Sequence, residues 1–161
     1  MIEPEEIVEA QLVAALVAAE PPLEVVGALA PAEDGEEKFA PLSYIGVSVD
    51  VASQDIDWIG PGCPFTYTAA ISVRVAFADD KTGALFRSAC RAVRGAFAAL
   101  LGDGCAALTA DGFSCDEFLM DATATALEAM GDGDGMTKTY TATIKGRYTP
   151  PTNNETEALN G

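Results

Sequence analysis

The segment TYTAAISVRVAF, from Thr66 to Phe77, decides the fold class of this chain. Apolar and polar side chains alternate along it, which is the period of a strand with one buried and one exposed face. The residues predicted to face the core are Tyr67, Ala69, Ile71, Val73, Val75 and Phe77, and those predicted to face outward are Thr66, Thr68, Ser72 and Arg74. We therefore expect a domain built on a sheet of half-buried strands.

A long helix is predicted directly after this strand. Asp79 or Asp80 would cap its first turn, and the helix would run to Leu101 and be closed by Gly102. Its apolar stripe comprises Leu85, Phe86, Ala89, Cys90, Val93, Phe97 and Leu100. One face of the helix is thus suited to packing on the sheet.

Two further elements are predicted before the central strand. A helix is expected from Glu5 to Ala19, because Pro4 suits a first helical turn and apolar residues then recur at helical spacing. An alternating strand is expected from Pro41 to Ala52. Its predicted buried residues are Ile45, Val47, Val49 and Val51.

The last third of the chain contains two predicted strands. Phe113 to Met120 and Thr137 to Tyr148 have strand patterns, whereas Asp121 to Met130 fits neither a strand nor a helix clearly. The last strand is predicted to place Thr137, Thr139, Thr141 and Thr143 on one face and Tyr140, Ala142, Ile144 and Tyr148 on the other.

The order helix, strands, helix, strands predicts an α+β fold. Alternating strands favour an antiparallel or mixed sheet, with the N-terminal helix and the long central helix packed on one face. A length of 161 residues suits one domain, which we expect to span residues 1–149 and to include an acidic loop at residues 32–40. Residues 150–161 are predicted to form a polar, flexible tail.

The formal net charge is −16, and it is distributed unevenly. Residues 1–60 carry −12 and residues 102–161 carry −7, whereas residues 61–101 carry +3. Such a charge opposes tight nucleic-acid binding, because phosphate contacts need Lys and Arg. The acidic N-terminus is unlike a secretory signal and no apolar run reaches about 18 residues, so the sequence predicts synthesis inside the cell without a membrane anchor.

The sequence offers little support for catalysis. It contains no His, which excludes His-dependent nucleophile systems and the common zinc sites, and it lacks phosphate-binding and hydrolase motifs. Cys63, Cys90, Cys105 and Cys115 form no CxxC pair and are expected to be buried, reduced thiols. No two acids stand out as a catalytic pair. We expect no enzyme activity, no catalytic residues, no cofactor and no metal.

The segment Gly131-Asp132-Gly133-Asp134-Gly135 has two interpretations. Asp-Gly steps supply the positive φ angles of a hairpin turn, which is the favoured interpretation. The alternation of Asp and Gly also matches the start of a calcium loop, but the residues that follow belong to a predicted strand and provide no Glu at the twelfth position. A calcium- or small-ligand-binding module is retained as an alternative of a different class.

The few cations could form a subunit interface. Arg87, Arg91 and Arg94 follow helical spacing and lie either on a solvated face or against acids of a neighbouring copy. The candidate set also includes Lys138, Lys145 and Arg147 on the last strand, opposite Glu33, Asp34, Glu36 and Glu37 of that copy. Trp58 either closes an edge of the core or anchors the interface.

The order of these elements resembles the tail terminator, or tail completion, proteins of long-tailed bacteriophages. The resemblance is carried by the helix at residues 5–19, the alternating strand that ends in Phe77-Ala78-Asp79-Asp80, the helix that follows, and the Thr- and Tyr-rich segment from Met136 to Tyr148. It covers about residues 5–148 and rests on pattern rather than on a diagnostic motif. The acidic segment before Pro41 and the tail after Pro150 depart from the family pattern.

The resemblance implies a structural virion protein without catalytic residues. Members form a ring, typically of six subunits, that caps the finished tail tube, ends its polymerisation and presents a surface to the head-tail connector. The implied partners are further copies of the chain, the tail tube protein and the connector protein, with DNA passing through the lumen. The implied location is the host cytoplasm during assembly and then the head-proximal end of the tail. Another head-tail joining, neck or tail tube subunit is the nearest alternative.

Overall fold

A computed structural model describes residues 4–28, 42–54, 62–130 and 133–149, with backbone alone for 52–54. In these ranges the chain forms helices α1 and α2 and a five-stranded sheet. The elements are α1 (Pro4–Ala18), β1 (Val25–Gly27), β2 (Tyr44–Gln54), β3 (Cys63–Ala76), α2 (Ala84–Gly102), β4 (Phe113–Met130) and β5 (Gly133–Tyr148). The predicted acidic loop at 32–40 and the tail at 150–161 lie outside the described residues.

The strands are arranged in the order β1-β2-β3-β5-β4. The three-residue strand β1 runs parallel to β2, and all other neighbours are antiparallel, so the sheet is mixed. The α+β prediction is confirmed. The strand predicted from Thr66 to Phe77 is confirmed as β3, which lies in the middle of the sheet between β2 and β5.

One face of the sheet is covered by both helices. α1 packs on β1, β2 and α2, while α2 packs on β3, and the apolar side chains form one core. Tyr67, Ile71 and Val73 of β3 are completely buried, as their alternation predicts. Phe97 of α2 lies across Tyr140 of β5 in a T-shaped contact, with 5.6 Å between the ring centroids. The helices therefore shield the middle of the sheet.

Two residues predicted to be buried are exposed. Phe77 follows the end of β3 and begins a short 3-10 turn, Phe77–Asp79, that takes its side chain away from the core face. Val51 lies next to the register shift between Val51 and Ser53 in the pairing of β2 with β3. In both cases the strand loses its regular alternation at that point, so the period of two no longer predicts the buried face.

The start of α2 confirms Asp80, not Asp79, as the capping residue. The helix begins at Ala84, later than predicted, and the Asp80 carboxylate reaches forward to accept hydrogen bonds from the amides of Leu85 at 3.1 Å and Phe86 at 3.0 Å. Asp79 instead accepts a hydrogen bond from the hydroxyl of Ser43. Gly83, with φ of 77°, supplies the left-handed conformation that connects Asp80 to the first helical residue.

The ambiguous stretch Asp121 to Met130 continues β4 as a strand. Two irregularities, between Cys115 and Glu117 and between Met120 and Ala122, interrupt the alternation along it. β5 starts at Gly133, earlier than predicted, and Met130 pairs with Gly133. The hairpin interpretation of this region is thus confirmed, and Asp134 lies in a strand opposite Ala129. Asp132 lies outside the described residues.

Candidate assembly interface

The second half of β4 is exposed on both sides of the sheet. β4 is an edge strand, bonded to β5 along one side, and no described strand occupies its other side. Leu127 is 70% exposed, Leu119 45% and Met120 38%. The helices do not extend over this part of the sheet, because every residue from Leu119 to Leu127 is exposed. A row of backbone hydrogen-bonding groups and several apolar side chains therefore face solvent together.

The second half of this edge lacks most of the features that usually prevent strands from pairing with other chains, and the register shifts of β4, at Cys115/Glu117 and Met120/Ala122, precede it. Edge strands are commonly protected by Lys, Pro, inward-pointing charges or shortness. The segment ATATAL, residues 122–127, contains no charged residue and no Pro, and β4 is 18 residues long. Asp121 and Glu128 flank the segment but leave its centre unprotected. The edge is consequently available for pairing with a further strand.

The opposite edge of the sheet is only partly covered. β1 pairs with Ile45, Gly46 and Val47 of β2, so the outer side of β2 from Ser48 onward has no strand partner among the described residues. Two strands, β3 and β5, lie between β2 and β4. Because each adjacent pair in this series is antiparallel, β2 and β4 run in opposite directions. The open edge of β4 in one copy and the open edge of β2 in another could thus join as an antiparallel pair, the arrangement already used by most of the sheet.

The face of the sheet away from the helices is rich in hydroxyl groups. The Ser72 and Thr139 hydroxyl oxygens are 3.1 Å apart and share a hydrogen bond, and the Thr143 hydroxyl donates to the Asp121 carboxylate. A shallow groove of about 390 Å³ crosses this face between β2 and β5 and is lined largely by small side chains such as Gly46 and Ala70. The charged side chains that border the groove, Arg74 and Glu128, are paired with each other.

The cations on that hydroxyl-rich face are paired with acids of β4. Arg74 contacts Glu128 at 2.8 Å, and Lys145 contacts Glu117 at 3.7 Å. Arg147 forms a two-pronged pair with Asp116, with N–O distances of 3.0 and 3.1 Å. These exposed pairs stabilise the fold little. They do balance each cation on this face with an acid of the same chain.

The structure separates the cations that the sequence grouped together. Lys145 and Arg147 lie on the hydroxyl-rich face, whereas the Lys138 ammonium lies 5.3 Å from the centroid of the Tyr140 ring on the helix-covered side. Arg94 of α2 is close enough to the Tyr140 hydroxyl to lower its pKa, although burial and the neighbouring Cys90 thiol dominate and raise that pKa. Lys138 is thus separated from Lys145 and Arg147 by the sheet.

Arg87, Arg91 and Arg94 are all exposed on α2, as their spacing predicts. Arg87 interacts with Asp80 and donates to the Thr82 carbonyl at 3.5 Å. Arg91 borders an open groove of about 530 Å³ between α1 and α2 that is lined mostly by Ala and Gly. The interface role of these residues stays a prediction. Its proposed acids, Glu33, Asp34, Glu36 and Glu37, and the candidate anchor Trp58 lie outside the described residues.

Acidic and thiol side chains of the described residues do not cluster into a group suited to metal binding. Within residues 4–28, 42–54, 62–130 and 133–149, no group of three or more Cys, Asp or Glu side chains could hold a metal ion. Asp80 is an acid with a shifted pKa: burial raises it, but hydrogen bonds from the amides of Phe86, Leu85 and Gly83 and the charge of Arg87 outweigh burial and lower it. A carboxylate bonded in this way caps a helix and is not suited to proton transfer.

Neither described helix is long and apolar enough to span a membrane.

The open edge of β4 was not identified from the sequence. The useful signal is the run of Ala and Thr in residues 122–126, which lacks the large apolar residues of a buried strand and the turn residues of a loop. A strand of this composition fits a position with few neighbours. The opposite placement of Lys138 and Lys145 could also have been predicted, because an odd separation of seven residues places two side chains on opposite faces of a strand.

Comparison with known proteins gives limited information. No family model matches the chain, and no curated protein matches it. Among solved structures it is similar to a chain from the "Virion of native gene transfer agent (GTA) particle", with 18% sequence identity over 86% of this chain and 91% of that chain. The TM-score is 0.37. A TM-score of this size does not establish that the two chains share a fold.

Proposed function

We propose that this chain is a structural, non-enzymatic subunit of a bacteriophage-type particle that assembles into a closed ring and caps the end of a tail tube. The observation that carries the proposal is that the sheet has an open edge at each end, on β4 and on β2 beyond Val47. A contact between two different surfaces of identical subunits repeats from copy to copy and closes into a ring when the rotation allows it. The resemblance of the element order to tail terminator proteins suggests six copies.

The exposed part of β4 suits such a contact energetically. Pairing would satisfy backbone groups that now face water and would cover Leu127 and its neighbours. Burial of apolar side chains is needed, since a formal charge of −16 on every copy opposes association. The exposed Arg91 and Arg94 would reduce this repulsion if they met acids of the next copy.

The hydroxyl-rich face is the surface that we assign to the lumen. If the sheets continue from copy to copy, one face of every sheet points to the ring axis, and the helices occupy the other face. The hydroxyl-rich face offers no unpaired cation among the side chains described for it, because Arg74, Lys145 and Arg147 each contact an acid. A lumen of this kind would let DNA pass without holding its phosphates.

The proposal is tested by assembly with and without a tail tube protein. Sedimentation velocity and native mass spectrometry at micromolar concentration should detect a closed ring, and electron microscopy should show that rings added to growing tubes bind one tube end and stop elongation. A strictly monomeric chain under both conditions would contradict the ring. Rings that do not bind tubes would favour a neck or head-tail joining protein. Long tubes formed by this chain alone would favour a tube subunit.

A further inference from the structure

The helix side of the sheet has an uncovered ledge beside α2. Directly opposed residues of antiparallel strands lie on the same face of a sheet. Thr123 pairs with Tyr140, whose ring packs on Phe97 of α2, so Thr123 and every second residue from it to Leu127 face the helix side. Residues 119–127 are nonetheless all exposed. The helix layer therefore ends before the second half of β4.

The ledge combines apolar side chains with a cation. We define it as Thr123, Thr125 and Leu127 of β4 with Met136 and Lys138 of β5. Met136 also lines a cavity of about 250 Å³ at the start of α2, which contains the exposed Phe77 ring and is bordered by Arg87. Asp80 lines this cavity as well, but its carboxylate accepts hydrogen bonds from amides of α2. An apolar and acidic partner would suit this surface.

The outer flank of α1 has the complementary pattern. Glu6, Ala10, Val13 and Val17 are separated by four, three and four residues, so they lie along one side of the helix. Glu6 and Ala10 are exposed, and Val17 is 55% exposed. This side lies next to β1, because a Cβ at Gly27 would be 3.4 Å from the Val13 Cγ2 atom. α1 contains three Glu and no cation, so its outer flank is apolar and acidic.

Pairing of β4 with β2 of a neighbouring copy would bring this flank to the ledge. α1 packs on β1 and β2 of its own copy, so it would cross the junction on the helix side together with β2. α2 lies over β3 and β5. With about 4.8 Å between strands, the axes of α2 and the neighbour's α1 would be roughly 12 Å apart. Packed helices are about 8 to 10 Å apart, and long side chains can fill the difference.

The direction of α1 also fits. α1 packs on β1 and leads into it, so the helix runs antiparallel to β1 and to β2, which is parallel to β1. The start of α1 therefore lies toward the end of β2. Because β4 would pair with β2 in antiparallel fashion, Glu6 would lie toward Thr125 and Lys138, and Val13 toward Leu127.

We propose that the ledge is the docking surface for α1 of the neighbouring copy, with Val13 and Val17 on the side of Leu127 and Glu6 on the side of Lys138. The inference rests on the proposed ring. It adds a helix-to-ledge contact to the strand pairing, and this contact places opposite charges at the junction between two copies that both carry a formal charge of −16.

Exchange of two charges in the full-length chain tests the docking. Lys138→Glu places a negative charge beside Glu6 of the neighbour, so it should raise the concentration needed for ring formation at low salt by roughly threefold to tenfold. The double variant Glu6→Lys/Lys138→Glu restores opposite charges and should return to within about twofold of the wild type. Lys145→Glu, on the other face of β5, is the control and should assemble like the wild type.

Cross-linking tests the contact independently of charge. Ala10→Cys and Thr125→Cys are combined in a Cys115→Ser chain, whose remaining native cysteines are buried, and assembled rings are treated with a short bismaleimide. We expect a ladder of covalent oligomers on denaturing gels. Ala18→Cys with Thr125→Cys is the matched control, because Ala18 is exposed at the groove between α1 and α2. This control should give monomers only.

The outcomes separate this docking from the ring itself. Rings that give no ladder, or an equal ladder with Ala18→Cys, would overturn the docking and leave the proposed ring intact. A double charge variant that assembles as weakly as Lys138→Glu would also overturn it. A wild-type chain that forms no rings would overturn both proposals. Thermal unfolding identifies any variant that is misfolded, and the cross-linking pair does not depend on the charge variants.

Discussion

Strands β4 and β5 are hydrogen bonded to each other and have similar sequences, yet their surroundings are opposite. Residues 139–144 of β5 are TYTATI, and in this segment Tyr140, Ala142 and Ile144 are buried. Residues 122–127 of β4 are ATATAL, and all six are exposed. β5 lies between two strands and beneath Phe97 of α2, whereas this part of β4 has one neighbour and no helix above it.

The difference shows that Thr and Ala allow a strand to form but do not determine whether that strand is buried. Both residues are compatible with a strand, and the ladder of β5 gives β4 a partner of similar length, 16 residues against 18. β5 carries large side chains that pack on the helix layer, and the start of β4 does the same with Phe113 and Phe118, whereas residues 119–127 of β4 contribute none. The second half of β4 extends the sheet without adding to its core, and this leaves an uncharged edge at residues 122–127 that is available to another chain.

The largest expected effect is a change in the core of β5. Tyr140→Ala removes a side chain that is 1% exposed and packs on Phe97, so it should lower the free energy of unfolding by roughly 3 to 5 kcal/mol. Leu127→Ala, on the exposed part of β4, should change it by less than about 0.5 kcal/mol. Urea denaturation of both variants measures the contrast. Similar losses would show that β4 is covered by its own chain.

The next effect concerns two glycines in β5. A Cβ at Gly146 would lie 2.4 Å from the Phe113 ring and 2.6 Å from the Ser114 carbonyl oxygen, both on β4. Gly146→Ala should therefore cost about 1 to 3 kcal/mol of stability. Gly133→Ala is the matched control, because a Cβ there would meet no atom within 4 Å. Equal stability of the two variants would mean that β4 and β5 separate more easily at this end than the contacts indicate.

A smaller effect is expected at Asp80, which fixes the start of the helix that covers β5. Asp80→Asn keeps an oxygen that can cap the helix but removes the negative charge at its start, so it should cost roughly 0.3 to 1 kcal/mol at neutral pH. The folded-state pKa of Asp80 lies below its ordinary value of 3.8. The stabilisation is therefore complete above the unfolded pKa and is lost as pH falls through the folded pKa.

The pH dependence of the stabilisation by Asp80 can be checked by comparing the unfolding free energies of the wild type and of Asp80→Asn. Denaturation of the wild type and of Asp80→Asn at a series of pH values should give a stability gap that is constant near neutral pH and narrows below the ordinary carboxyl pKa. A gap that widened with acid would contradict the assigned sign. A gap of zero throughout would show that the amides of Leu85 and Phe86 do not depend on the Asp80 charge.

The smallest effect on folding, but a measurable one on assembly, is expected at Arg91. Arg91→Glu should change stability by less than about 0.5 kcal/mol, because the residue is exposed. At low salt it should raise the concentration needed for assembly by roughly twofold to fivefold, and added salt should reduce the difference from wild type. Lys81→Glu introduces the same charge change at another exposed position and should assemble normally. Identical behaviour of both variants would indicate that Arg91 belongs to a solvated face.

The elements in which apolar side chains recur at a regular spacing could be predicted from the sequence. The buried face of β3 and the apolar stripe of α2 follow directly from spacings of two and of three to four residues. Asp80 was identified as a cap, although its placement four residues before Ala84 depends on a left-handed Gly83. The alternation failed at Val51 and Phe77, where a register shift and a chain turn end the regular strand.

Other features depend on the tertiary fold and could not be predicted from one sequence. The three residues of β1 form a strand because β2 is beside them. The residues of β4 beyond Asp121 are a strand because β5 provides the ladder, since Ala and Thr alone favour no single structure there. The contact of the Phe97 ring on α2 with the Tyr140 ring on β5 joins residues that no local spacing in the sequence connects.

The central claim is that the open edge of β4 holds neighbouring copies together. Sedimentation velocity of wild type, Leu127→Lys and Leu101→Lys at equal micromolar concentrations tests it most directly, because Leu101 on α2 is also an exposed leucine, at 54%. We predict rings for the wild type and for Leu101→Lys, and monomers for Leu127→Lys with unchanged thermal stability. Assembly of Leu127→Lys at the wild-type concentration would contradict the claim.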